Sequence, residues 1–299
     1  MGVIKPSGAV GKGAPGVCVI CGGVGRRLFT TRGYDILGCR GCGHRFTQLE
    51  RTPDHVTRVY GDDYFFGGGA GYADYLSEAA LLREQGVSYA RLLRRFVSTG
   101  AVLDVGAAAG FVLEGFFSEG WIGRGIEPNA RMCHAANERL GPLVDVGILE
   151  SYESPRTYDL VAMIQVVAHF PDPRQTLARA ADLTHPGGLW LIETWDRDSW
   201  TARAFGKWWH EYSPPSVLHW FSRSGLKRLA GSLGFTEVAW GRPRRWINLG
   251  HARSLLEHKL SGRVLRHLLK PLRLIPSSLR LPYPGDDLFW ALFQDKREW

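Results

Sequence analysis

Residues 103–110 read Leu-Asp-Val-Gly-Ala-Ala-Ala-Gly, and residues 121–128 read Trp-Ile-Gly-Arg-Gly-Ile-Glu-Pro. Ala101 to Gly106 is an apolar strand running into a turn of small residues, and Phe111 to Glu119 continues as a helix. Backbone amides at such a turn can approach a ligand at the helix N-terminus. A second strand, Trp121 to Glu127, ends 17 residues after Gly110 in a carboxylate. That is the place where an acid accepts hydrogen bonds from both hydroxyls of a ribose. Small residues also serve close helix-on-strand packing, and it is the acid at the end of strand two that weighs toward a ligand. A nicotinamide-binding turn would present G-x-G-x-x-G, whereas Gly-Ala-Ala-Ala-Gly lacks the third glycine at the packing position.

Outward from this unit the pattern repeats. Asn129 to Leu140 reads as a helix, then strands follow at Leu143–Gly147, Tyr158–Gln165 and Leu189–Trp195, with a helix at Pro173–Leu183. A helix at Ser224–Ser232, a strand at Phe235–Trp240 and a last strand at Asp287–Gln294 bring the strands to seven. Alternation of this kind implies an α/β fold with a doubly wound sheet.

Upstream, Cys18, Cys21, Cys39 and Cys42 form two C-x-x-C pairs with 17 residues between them. The spacing fits a zinc site with four thiolate ligands, and the neighbouring glycines let the backbone curl under the sulfurs. The competing reading, two disulfides in a secreted chain, lacks an apolar signal segment after Met1 and is unneeded at this length. Cys133 falls in a helical pattern and reads as a small buried side chain.

The expected organisation is a flexible leader over 1–16, a zinc knuckle over 17–50, an aromatic lid segment and lead-in helix over 51–100, and the main domain over 101–299. Val59 to Gly69 is aromatic and glycine-rich, which suits a segment that closes over a ligand as well as a plain linker. Tyr75 to Val97 reads as a helix. Of the 299 residues 44% are hydrophobic, and the net charge of +8 favours anionic partners. Seven Lys or Arg against one acid fall between His251 and Arg280. Leu255 to Lys270 places Lys259, Arg263, Arg266 and Lys270 on one arc of a helical wheel. This fits either a helical cover with a solvated basic face or an interfacial helix on anionic lipid. No apolar run approaches the roughly 18 residues of a bilayer span. The expectation is a cytoplasmic protein, with peripheral contact at the inner membrane face if 251–280 meets lipid.

On these motifs, together with Gly-Ile-Glu-Pro-Asn at 125–129, Val-Val-Ala-His-Phe-Pro-Asp-Pro at 166–173 and His-Pro-Gly-Gly at 185–188, residues 60–294 resemble the class I S-adenosylmethionine (SAM) dependent methyltransferases. The resemblance is strongest to a bacterial subgroup with an N-terminal four-Cys knuckle and a Pro-Pro-x-x-Leu-x-x-Phe-Ser element, here Pro214 to Ser222. It implies a seven-stranded Rossmann-like methyltransferase sheet with a zinc-ribbon-like module. It also implies SAM contacts from Asp104, Gly106, Ala107, Ala108, Gly110, Phe111, Glu127, Pro128, Ile148, Leu149, Gln165 and Tyr64. Ala108 departs from the usual middle glycine, and Ile148 stands where an Asp often meets the adenine.

An oxygen acceptor needs a base. The candidates are His169, just past strand four, and His210, Glu211 and His219 after strand five. Trp195, Trp200, Trp208, Trp209, Tyr212 and Trp220 could wall an acceptor or bury themselves as a cap. Ile164-Gln165-Val166-Val167 replaces the Asn/Asp-Pro-Pro-Tyr/Phe element of the resembling nucleic-acid base methyltransferases, which disfavours nucleic acid as substrate. The expected activity is methyl transfer from SAM to a hydroxyl of a small molecule, a saccharide or glycosylated metabolite foremost, with a lipid-linked acceptor if the basic helix meets a membrane. The rivals are an RNA methyltransferase that grips RNA through its zinc knuckle, and a SAM-binding protein without turnover. Zinc is expected as a structural ion.

Overall fold

The computed structural model describes residues 16–47, 55–67, 74–243, 246–248, 280–282 and 285–297. The expected leader, apart from Gly16, and the expected basic helix at 255–270 lie outside them.

The chain opens with β1 (Gly25–Thr31), β2 (Tyr34–Cys39) and β3 (Arg45–Thr47), an antiparallel meander. The β1–β2 turn is Arg32-Gly33, both with positive φ (50° and 82°), the conformation that matches the twist of a two-residue hairpin. Short helices α1 (His55–Val59) and α2 (Asp62–Phe66) and the longer α3 (Ala79–Leu93) lead into the main unit. There β4 (Ala101–Val105), α4 (Phe111–Ser118), β5 (Ile122–Glu127), α5 (Ala130–Leu140), β6 (Val144–Val146), β7 (Tyr158–Ile164), α6 (Pro173–Asp182) and β8 (Thr184–Trp195) alternate. After them come α7 (Trp200–Phe205), β9 (His219–Trp220), α8 (Arg223–Gly231), β10 (Phe235–Gly241), β11 (Trp246–Asn248), β12 (Arg280–Pro282) and β13 (Leu288–Asp295).

Seven of these strands form one sheet in the order β6-β5-β4-β7-β8-β13-β10, and they are the seven anticipated from the sequence. β4 to β8 run parallel, while β13 inserts antiparallel between β8 and β10. The central strands are largely apolar because helices cover both faces: Val102, Leu103, Leu160, Val161, Leu191 and Ile192 are all buried. The strand order reverses between β4 and β7, where the crevice beyond the strand ends is the usual ligand site of a doubly wound fold. α3 crosses α4 with almost no gap. A Cβ at Gly86 would lie 2.2 Å from the Val112 carbonyl oxygen, and one at Gly115 would lie 2.4 Å from that of Arg83. This close approach sets α3, with Gln85 and Tyr89, against the crevice.

The cysteine module is built into the body rather than appended to it. β3 pairs antiparallel with β9 (Arg45↔Trp220, Phe46↔His219), giving a four-stranded sheet β1-β2-β3-β9. Cys18, Ile20, Cys39 and Phe46 share one buried cluster with Phe170, Phe221 and Leu226.

Candidate active site

The four knuckle sulfurs lie within 4.8 Å of one another, with Cys18 to Cys42 at 3.6 Å and Cys21 to Cys39 at 3.4 Å. No disulfide joins them. A tetrahedral ion with metal–sulfur bonds of about 2.3 Å separates its ligands by roughly 3.8 Å, so the cage matches such an ion closely. The backbone amides of Ile20 and Gly41 donate to the sulfurs of Cys18 and Cys39 (3.4 and 3.3 Å). Burial opposes ionisation of Cys39, but amide donors from Cys42 and Gly41 and its thiol neighbours outweigh it and bring the group down to about 7.

The crevice at the switch point is a cavity of about 850 Å³, lined from α1, α2 and α3 on one side and the strand ends on the other. At one end Gly106, Ala108, Glu127, Pro128, Ile148 and Leu149 come together. Gly106 has φ 72°, and a Cβ there would meet Val166 at 2.4 Å, so only glycine fits the turn. Ala108 adopts φ 46°, a strained setting for a residue with a side chain, and its amide donates to Glu127 Oε2 (2.9 Å). The Asn129 amide donates to Oε1 (2.9 Å), while the Asn129 side chain caps α5 by accepting from the Met132 amide (3.0 Å). Each Glu127 oxygen thus commits one lone pair to the backbone and can offer the other to the cavity. Burial raises Glu127 to about 7 against those two amides; burial and the nearby Glu127 charge raise Asp104 to about 7 as well. Asp104 Oδ2 is buried without a hydrogen-bond partner among the described residues.

Not every residue anticipated for the cofactor lines this space. Gly106, Ala108, Glu127, Pro128, Ile148, Leu149, Gln165 and Tyr64 do. Asp104, Ala107, Gly110 and Phe111 lie behind it. Phe111 packs with Phe65, Tyr75 and Met132 and takes the guanidinium of Arg139 over its ring at 4.4 Å. Its side chain turns toward α3 because the helix it opens must bury that face. The Tyr-rich run folds in part as α1 and α2 against the cavity, Tyr60 donating to the Ser216 carbonyl (2.7 Å) and Asn129 Nδ2 to the Tyr60 carbonyl (3.1 Å).

At the other end the walls are Trp195, Trp246, Trp290, Arg242, His210 and Glu211. His210 Nε2 lies 2.9 Å from Glu211 Oε1 and 3.9 Å from Asp287 Oδ2, and Asp287 also accepts from Trp209 Nε1 (2.8 Å). The His210 ring stands edge-on to Trp195 (centroids 5.6 Å, planes 79° apart). His169 lines the cavity between the two ends, its Nδ1 2.6 Å from the Ser216 carbonyl, which fixes the proton on that nitrogen. Burial pushes His169 below its ordinary value and keeps the ring neutral. His219 is elsewhere. It is buried in β9 beside the knuckle, 3.2 Å from His44 Nε2 and close to Phe221, so it cannot serve as the acceptor base. The aromatic segment divides likewise. Trp209, Tyr212 and Trp220 bury themselves with Ile36 and Val217, and Trp200 and Trp208 are each 77% exposed. Of that segment only Trp195 faces the cavity. Trp290 and Arg242, which the insertion of β13 between β8 and β10 turns toward the crevice, and Trp246, which sits in the separate β11–β12 pair, have no local sequence signal as cavity residues.

The methyltransferase domain family matches residues 75–239, more than half of the chain. The chain belongs to that family. This methyltransferase is 32% identical over 171 residues to the ubiquinone biosynthesis O-methyltransferase of Serratia proteamaculans, covering 54% of this chain and 70% of that one. It is 26% identical over 156 residues to the protein of the same name from Saccharophagus degradans, covering 45% and 66%. The chain spans between 48% and 66% of the length of the first three curated relatives it matches. Among solved structures, the YcgJ protein of Bacillus subtilis superposes with a TM-score of 0.52 at 15% identity, covering 72% of this chain and all of that one, a likeness of fold. Among the described residues, no helix is long and apolar enough to cross a membrane.

Proposed function

We propose that this methyltransferase transfers a methyl group from SAM to a hydroxyl of a small molecule, and that its four-cysteine cage holds a structural zinc ion. The observation that carries the proposal is a single cavity joining two unlike ends. One is a small-residue turn with a buried, backbone-pinned Glu127, and the other a histidine–carboxylate pair among tryptophans. A volume of about 850 Å³ exceeds the need of one ligand of nucleoside size and leaves room for an acceptor beside it.

When bound, SAM supplies a sulfonium methyl group open to in-line displacement. The protein's task is then to hold two reactants in line and to exclude water. Glu127 would accept from the ribose hydroxyls, Ile148 and Leu149 would pack on the adenine, and Tyr60 and Tyr64 would flank the bound group. Glu211, backed by Asp287, holds the proton on His210 Nε2, which leaves Nδ1 with the lone pair that takes a proton from the acceptor hydroxyl. His169, neutral and tied to Ser216, orients the groups between. Trp195, Trp246 and Trp290 offer flat apolar faces that suit a sugar face or a planar ring. That hydroxyl chemistry is in keeping with relatives named as O-methyltransferases.

Incubating the purified protein with methyl-tritiated SAM and a panel of saccharides, glycosylated metabolites and ring hydroxyls tests this. We expect label in one hydroxylated small molecule, with equimolar S-adenosylhomocysteine. Label that enters only an added RNA fraction, or no S-adenosylhomocysteine with any acceptor, contradicts the proposal.

A further inference from the structure

The cavity's acceptor end and the cysteine knuckle are far apart in sequence, yet they share one hydrogen-bonded framework. His210, Glu211, Ser213, Ser216 and Val217 line the cavity, and the stretch is held at several points from the knuckle side. Arg45 Nη1 donates to the Tyr212 hydroxyl, and Phe29 of β1 stands edge-on to the Tyr212 ring (4.9 Å, 80°). The Thr47 amide donates to the Leu218 carbonyl (2.9 Å), and the Leu218 amide donates in turn to the carbonyl of Ala168, next to His169 (2.9 Å). β9 is itself a strand of the knuckle sheet, and the indole of its Trp220 donates to the Glu211 carbonyl (2.7 Å). The residues that pin Glu127 belong instead to the turn after β4 and to the start of α5, and they meet this stretch through Tyr60, which donates to the Ser216 carbonyl and accepts from Asn129 Nδ2.

We propose that the knuckle is the template of the acceptor wall, with Arg45 and Tyr212 as positioning residues that couple the loaded four-cysteine cage directly to the 209–217 stretch, and to the SAM end no more than through Tyr60, whose own anchorage on α1 and on Asn129 is independent of the cage. This rests on the zinc and acceptor assignments made above. The physical basis is that 209–217 contains no α-helix or sheet strand of its own among the described residues. Its backbone is fixed by neighbours, and the rigid neighbour on one side is a three-stranded meander whose β2 ends in one ligand, Cys39, and whose β3 begins just after another, Cys42. A meander this small depends on its metal for stability. When the ion leaves, β3 loses its anchor and the wall loses the side that Arg45 and Thr47 supply. The coupling gives the module a role in the enzyme's own reaction without any second ligand on its surface.

Amide hydrogen exchange on the intact protein, read beside zinc content and calorimetric SAM affinity, tests the coupling. Stripping the metal with a chelator should expose 17–47 and, with them, 209–218, while SAM affinity stays within about threefold. Two variants make the same test without touching the metal. Arg45→Met and Tyr212→Phe should keep one zinc and normal SAM affinity yet speed exchange at 209–217 by about tenfold, the loss expected for one charge-assisted hydrogen bond. Arg45→Lys, which still donates to the Tyr212 oxygen, should restore most of the protection. Exchange at 209–217 that is unchanged in Arg45→Met, or equal in Arg45→Lys and Arg45→Met, overturns the proposal. So does loss of SAM affinity in step with metal loss. Protein that contains no zinc as purified, with 17–47 protected regardless, instead overturns the zinc assignment, and the metal-independent variants still judge the Arg45 contact.

Discussion

The purified protein is expected to carry one zinc ion per chain, and Cys39→Ser to lose it along with the fold of the knuckle. Four sulfurs already at ligand spacing form a closed site, in which binding free energy is folding free energy. For structural zinc that energy is about 10–16 kcal/mol in isolated fingers, as large as the net stability of a whole domain, about 5–15 kcal/mol. The body of the enzyme recovers part of it, because Cys18, Ile20 and Phe46 are packed into the main core and Arg174 donates to the Val19 and Ile20 carbonyls (both 3.1 Å). Global unfolding is therefore not expected. Cys39→Ser should show less than a tenth of an equivalent of zinc, and titration should find the three remaining knuckle thiols reactive. A variant that retains stoichiometric zinc would remove Cys39 from the ligand set.

The second large effect is expected at His210. If Nδ1 takes the acceptor proton, His210→Ala should lower kcat by roughly 10²–10⁴ with SAM affinity unchanged, the range typical of general-base loss. Glu211→Gln keeps the hydrogen-bonding shape but removes the charge beside His210 Nε2, so a smaller loss of kcat in the same direction is expected. His219→Ala should affect stability and leave the pH profile in place, since its ring is packed on His44 outside the cavity. Rates within threefold of wild type in His210→Ala would mean that proximity alone suffices, and that the acceptor is already nucleophilic, an amine or carbanion rather than a hydroxyl.

Where physical rules are local, the sequence was a good guide to this fold. Strand-to-turn-to-helix at 101–118 follows from a continuous apolar run meeting small residues. The α6 start follows from Asp172 capping the Arg174 and Gln175 amides with Pro173 at the first helical position. The cysteine spacing fixed the cage for the same reason, since C-x-x-C geometry is set within each turn. What could not be read depends on long-range pairing. β9 is two residues long and has no periodicity of its own; it exists because β3 offers an unpaired edge, and that pairing carries His219 out of the acceptor site and buries Trp220. Arg242 and Trp290 show no signal as cavity residues, because their placement comes from the β10-β13-β8 order, in which Gly241 pairs with Trp290 and Trp290 with Glu193. Phe111 was misplaced for a related reason: a helix's first residue can face either the ligand or the neighbouring helix, and the close α3–α4 crossing decided it.

If the Gly106–Gly110 turn and Glu127 seat the SAM ribose, calorimetry of SAM with wild type and Glu127→Gln at pH 8 and pH 6 will show it. Glu127 and Asp104 are each raised to about 7 chiefly by burial, so below that pH the free protein holds protons that a ribose-binding carboxylate must release. Wild type should bind one SAM per chain, several-fold more weakly at pH 6 than at pH 8. Glu127→Gln should bind at least about tenfold more weakly at pH 8, as loss of a charged hydrogen-bond partner requires, with a flatter pH dependence. Equal affinities for the two proteins at both pH values would place the ribose contact elsewhere than on Glu127.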